Sequence, residues 1–241
     1  MSKLFSFQII KRSFKSVWVW VLVAVFAQSV NYFAQSSQAD NATELLANAF
    51  INGNIMFNGM IFLTLVSIFF STALITNEVD RGTLAITLST PITRKQILFS
   101  KGLVLVSALV SMNLLLGVLG SLTTLMFGIQ FDHGTWWTVI ALWLVYTLVV
   151  ASIAFFIGCW FNKSRYAMVT IALILGGFYL LGMLSTIDNF EFLRFTTLQT
   201  LFNTDAVING DFLWQFIALP LIAIPFFVGG AVKFLRKDLP L

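Results

Sequence analysis

Residues 136–161 read WWTVIALWLVYTLVVASIAFFIGCWF, a continuous apolar run with no Asp, Glu, Lys or Arg in it. About 20 residues of helix cross the hydrocarbon core of a bilayer, so this run is long enough to span. Barrel strands would be about half as long and would alternate in polarity. With no water at that depth to satisfy a backbone amide, the run must bond within itself as a helix. Charge returns only beyond its ends, at Asp132 on one side and Lys163 on the other.

Five further stretches have the same character: Ser16–Ala34, Ile55–Thr76, Gly102–Ile129, Tyr166–Thr186 and Phe212–Val232. Composition agrees, with 59% hydrophobic and 10% charged residues and a mean hydropathy of +0.92 over 241 residues. Soluble domains carry about 25% charged residues, so a water-soluble fold and a disordered chain are both excluded. Cys159 is the only cysteine and cannot form an intrachain disulfide. The expected fold is all-α, a single polytopic membrane domain over residues 1–241 with six transmembrane helices.

The net charge of +4 is a matter of topology rather than of nucleic-acid binding. Lys3, Lys11, Arg12 and Lys15 precede the first span; Arg81, Arg94, Lys95 and Lys101 lie between the second and third. Lys163 and Arg165 separate the fourth and fifth, and Lys233, Arg236 and Lys237 follow the last. The opposite connections hold Arg194 alone among cations, with Asp40, Glu44, Asp132, Asp188, Glu191, Asp205 and Asp211. The positive-inside rule then puts both termini in the cytoplasm, as an even number of spans requires. Phe7, Ile10 and Phe14 share a narrow helical arc flanked by Lys11 and Lys15, so residues 1–15 fit either an amphipathic helix in the headgroup layer or a snorkelling basic flank. The long basic lead favours a retained first span over a cleaved signal peptide.

Catalytic chemistry finds no footing. His133 stands beside Asp132 without a second ligand at helical spacing. No Gly-rich loop ending in Gly-Lys-Ser/Thr occurs, so nucleotide hydrolysis by that route is not expected in this chain. The spans also lack the buried carboxylate that an ion-coupled carrier uses to bind and release its coupling ion.

The connection 77–100, NEVDRGTLAITLSTPITRKQILFS, has structure of its own. Gly82 tolerates positive φ and can end the preceding helix. Thr83 can cap a new two-turn helix carrying Leu84 and Leu88 on one face. Pro91 biases Thr90 away from helical angles and stops that helix, and Thr90 with Pro91 suits the cap and first residue of the next. Physics leaves two readings open: a short helix resting on lipid, or an apolar knuckle that docks a soluble partner, fringed by Glu78, Asp80, Arg81 and Arg94.

Glu78-x-x-Arg81-Gly82-Thr83, then Leu88-Ser89-Thr90-Pro91-Ile92-Thr93-Arg94 and Lys101, resembles the signature of permease subunits of the type-two ABC exporter family. The likeness extends to the span count, the lead helix and an external segment before the last span. It implies that the short helix is a coupling helix seated in a separate ATP-binding subunit, with Arg81, Gly82, Thr83, Leu84, Thr87 and Leu88 as contacts and Glu78 and Arg94 as bracing charges. It further implies that ATP and Mg sit on that partner, with no cofactor in this chain. A second permease copy, identical or not, completes the pair, and the location implied is a bacterial inner membrane.

Residues 187–211 include Phe190, Phe192, Leu193, Phe195, Leu198, Leu201 and Phe202, too apolar to float and too short to cross, and fit a re-entrant segment or an interfacial flap. Phe195 is a gate candidate. Pro220 and Pro225 should kink or break the last span, as a hinge beside the path or as a static bend. Ser107, Ser111, Gly117 and Ser121 form a small-residue stripe that suits intrachain packing and a dimer seam equally. Sparse interior polarity, at Gln28, Asn58 and Asn113, favours a hydrophobic or amphipathic cargo such as a peptide over a strongly charged one. The competing reading is a non-transporting membrane scaffold that anchors a soluble partner.

Overall fold

A computed structural model describes residues 17–19, 21–30, 60–84, 92–126, 132–185, 187, 190, 192–193, 197–203, 206–207 and 209–237. The expected interfacial helix at 1–15, together with Thr87, Leu88, Thr90, Pro91 and Phe195, lies outside these residues. Secondary structure among the described residues is helical throughout. After an amino-terminal helical stretch at 17–19 and 21–30 come α1 (Met60–Ser71), a π turn (Thr72–Thr76) and α2 (Asn77–Asp80). Then follow α3 (Arg94–Met126), α4 (His133–Trp160), α5 (Ser164–Leu184), a 3-10 turn (Leu198–Leu201) and α6 (Leu213–Arg236).

Among the described residues, four helices are long and apolar enough to cross a membrane: Arg94–Thr123 of α3, all of α4, Ser164–Gly182 of α5, and all of α6. They match the third to sixth expected spans, although α3 begins at Arg94 rather than at Gly102. The helical stretch at 17–19 and 21–30, and α1 with the π turn, fall within the first two expected spans, whose remaining residues lie outside the described set.

The run quoted at the outset is the hub. A helix that is apolar all round belongs in an interior, and α4 packs against α1, α3, α5 and, most extensively, α6. Glycines let the neighbours in. A Cβ on Gly230 would sit 2.8 Å from the Phe155 ring and 3.1 Å from the Phe156 backbone. On the other side, a Cβ on Gly120 would fall 2.3 Å from the Trp136 ring, and one on Gly117 2.8 Å from that of Trp137. Gly117 of the small-residue stripe therefore serves packing between α3 and α4. Ser111 and Ser121 turn their hydroxyls onto carbonyls of their own helix, at Ala108 and Gly117.

Trp136 stands near the start of α4, where span-end indoles ordinarily lie at the interface, yet it is buried. It is 1% exposed, and its Nε1 donates to the Gly117 carbonyl at 3.0 Å. A buried indole needs such a partner, and Gly120 clears the space for it. Trp137, Trp160 and Trp214 are exposed, as span-end tryptophans should be.

The prolines do not break the last span. α6 runs unbroken from Leu213 to Arg236 with Pro220 and Pro225 inside it. Each costs one backbone bond, but the turns on either side stay helical, a pattern membrane helices tolerate. The π turn, by contrast, has no forewarning in the apolar pattern. Thr72 Oγ1 donates to the Ile68 carbonyl at 2.7 Å and to that of Phe69 at 3.2 Å. A hydroxyl that competes for these carbonyls loosens the i−4 ladder where the wider turn begins.

The described part of 187–211 forms short turns, including Leu198–Leu201. It is nevertheless anchored. Phe202 is fully buried, its ring centroid 5.1 Å from Trp143 and 5.6 Å from Tyr146 of α4. Beside it the Asn203 amide donates to Gln215 Oε1 (2.9 Å) and Gln215 Nε2 donates back to the Asn203 carbonyl (3.0 Å).

Candidate functional site

The stretch from α2 to α3 leaves and rejoins the bundle at two fastened corners. At the first, the Arg81 amide donates to the Asn77 carbonyl (3.0 Å) and the Gly82 amide to that of Val79 (3.1 Å). Gly82 takes φ +67°, the left-handed conformation expected of a glycine stop. The Thr83 hydroxyl also reaches back to the Glu78 carbonyl at 3.4 Å, and helix resumes at Thr83 and Leu84, while the rest of the short helix expected there lies outside the described residues. Arg81 and Gly82 are exposed and Thr83 partly so, whereas Leu84 is 3% exposed and belongs to the apolar core. Leu84 thus sits under the bend, and Arg81 to Thr83 form its outer surface.

At the second corner α3 begins with a reciprocal cap. The Thr93 amide donates to Gln96 Oε1 (3.0 Å) and the Gln96 amide to Thr93 Oγ1 (3.3 Å). Thr93-x-x-Gln96 is a capping box, so Thr90 and Pro91 are not the cap and first residue of this helix. Two terminal amides bonded at once outweigh the preset φ of a proline.

Polar contacts tie these corners to the rest of the bundle. Glu78 pairs with Lys101 at 2.6 Å, and the ammonium, 2% exposed, also donates to the Leu74 carbonyl at the π turn. Thr76 Oγ1 donates to the Gly158 carbonyl near the end of α4 (3.2 Å). Asp80 accepts from both the amide (3.0 Å) and the hydroxyl (2.7 Å) of Ser164, the first residue of α5. A carboxylate there answers the unsatisfied amides and the positive end of the helix dipole. Those Ser164 bonds, helped by Lys163 and Arg81, hold the Asp80 carboxyl below the ordinary aspartate range.

Arg94 closes the second corner onto the tail, its Nη1 donating to the Lys237 carbonyl at 2.9 Å. Lys237 in turn caps α4, with Nζ donating to the carbonyls of Phe161 (2.7 Å) and Cys159 (3.0 Å). One helical turn before it, Lys233 lies 4.2 Å from the centre of the Trp160 ring. Glu78 and Arg94, read from the sequence as braces, are held by Lys101 and by the tail. Asp80, Ser164, Thr76 and Lys237 carry no motif.

The cluster suits mechanical linkage rather than covalent chemistry. It ties four helix ends and the tail to the exposed turn at Arg81 and Gly82, and among the described residues no group of His, Cys, Asp and Glu is placed to hold a metal. His133 is exposed at the start of α4, just after the Asp132 cap.

The family model described as ABC-2 family transporter protein matches residues 7–179, which take in α1 to α4, the bend and most of α5. The chain belongs to the ABC-2 transporter family. No curated protein sequence matches it. As an ABC-2 permease it is the multi-pass membrane component of an ABC transport system and is not itself the catalyst. In the permease, the fastened bend lies within the matched residues; the turns within 187–211 and α6 follow them.

Proposed function

We propose that this permease couples ATP hydrolysis in a separate subunit to export of a hydrophobic or amphipathic cargo, a peptide among the leading classes. The bend at 81–91 is the docking element. The observation that carries this reading is the contrast within the loop: Arg81 and Gly82 stand exposed while both flanks are bonded to the ends of α3, α4, α5 and the tail. A partner that grips the bend differently in its two nucleotide states would move those helix ends, and only such a difference can drive the permease. Arg81, Gly82 and Thr83 would make contact together with Thr87 and Leu88, while Leu84 would hold the knuckle from beneath. Two permease chains, alike or different, would enclose the cargo path, with Phe195, Pro220 and Pro225 beside it. Six spans, cytoplasmic termini and a bacterial inner membrane complete the proposal, with ATP and Mg on the partner.

Arg81→Glu tests it. Co-purification with the ATP-binding subunit should fall about tenfold, as reversing a contact charge costs on the order of 1.4 kcal/mol or more, while membrane insertion stays normal. Undiminished co-purification would remove the docking role. Reconstituted with its partner, the wild-type pair should move cargo only with ATP; partner binding without movement would favour the scaffold reading instead.

A further inference from the structure

On the outer side of α3, a groove of about 580 Å³ runs from Lys95 to Val110, walled by Phe99 on one side and Phe227 of α6 on the other. Its floor is low because of Gly102, where a Cβ would approach the Phe227 ring to 3.4 Å. Phe99 is 72% exposed and Val106 43%, so the walls stand open to whatever surrounds the helix. From the geometry we infer that this groove binds one anionic phospholipid from the leaflet on the side of the 77–100 connection. The inference needs only that α3 and α6 span a bilayer, and it stands apart from the docking role of the bend.

Three observations select this occupant. The first is length: the helix from Lys95 to Val110 rises about 22 Å, and half of a bilayer with its headgroups is about 20–22 Å. The groove is therefore as tall as one lipid. The second is the placement of charge. Among the described residues, Lys95, exposed at one end, is the only ionisable one lining the groove, and beyond it the lining is apolar apart from one serine. A single cation at headgroup depth above an apolar trough complements a phosphate above an acyl chain. The third concerns the rival occupant, a second copy of this chain. In a two-fold interface the same patch meets itself, so the groove would bring two lysines to one seam and supply no acid for either.

The test uses the full-length chain in nanodiscs of equal phosphatidylglycerol and phosphatidylethanolamine, released into detergent for native mass spectrometry. Wild type should retain phosphatidylglycerol about fivefold over phosphatidylethanolamine, the preference expected from one lysine at the surface. Lys95→Gln should erase that preference. Val106→Trp should fill the trough and abolish retention, whereas Leu122→Trp, an equally exposed site on the same helix outside the groove, should leave it unchanged. The inference fails if Lys95→Gln keeps the anionic preference or if Val106→Trp still carries lipid. It fails too if a Phe99→Cys variant forms a disulfide between two chains in the membrane, which would give the groove to a second copy.

Discussion

Lys101 sits two turns inside α3 with almost no exposure, and Glu78 neutralises it from another helix. A buried ion pair adds little over an apolar pair, but removing one partner leaves a charge stranded. Glu78→Gln should therefore destabilise the protein by about 3 kcal/mol, the low end for a pair whose acid is still part-exposed, read as a fall in detergent melting temperature. Adding Lys101→Met should restore most of the loss; a double variant no better than the single would show that the pair is not what matters there. Glycine contacts offer a second test at this scale. Gly230→Ala forces a Cβ into Phe155 and should cost about 1–3 kcal/mol. Gly176→Ala in α5 meets nothing within 4 Å and should gain up to about 1 kcal/mol through helix propensity. Equal melting temperatures for the two variants would contradict the packing of α6 on α4.

Among the elements, α2 and α5 are joined through Asp80 and Ser164, and this joint depends on pH. The aspartate is depressed in the folded protein, so its contribution is fully present above the unfolded value of 3.8 and fades as pH falls through the lower folded value. Asp80→Asn should therefore lower the melting temperature at neutral pH, and the gap to wild type should close in strong acid. A gap that persists there would point to something other than the ionised carboxylate. Elements of this kind also show what sequence can disclose. The spans at α3 to α6 are legible within a few residues at most ends, because long apolar runs admit one structure in lipid. Gly82 is legible because one backbone conformation suits it. The partnership of Lys101 with Glu78 is not, since it depends on the register of two helices joined by a loop, and the π turn at Thr72 shifts that register. The Thr93–Gln96 box was readable, but Pro91 offered a competing start three residues from the true one. The burial of Trp136 is not legible either, because it depends on Gly120 of a neighbouring helix leaving room for the ring.

For the whole molecule, Cys159 is a useful accident: it is the only cysteine and is buried in the apolar core, so it should react slowly with polar reagents. In a Cys159→Ala background, single cysteines at Arg81 and at His133 should be labelled by an impermeant maleimide from opposite faces of the membrane. His133 should react in intact cells and Arg81 only after lysis. Labelling of both from one side would refute the orientation drawn from the basic connections.

The glycine and phenylalanine contact between α6 and α4 also limits how the protein can change shape. Gly230 already lies against Phe155 and the Phe156 backbone, and at the same end Lys237 holds the carbonyls that finish α4. Sliding one of these helices along the other by even an ångström would drive ring into backbone, and interiors packed this closely do not deform continuously. α4 and α6 therefore travel as one beam, and whatever hinge admits cargo must open along another seam, where the helices meet with more room to part.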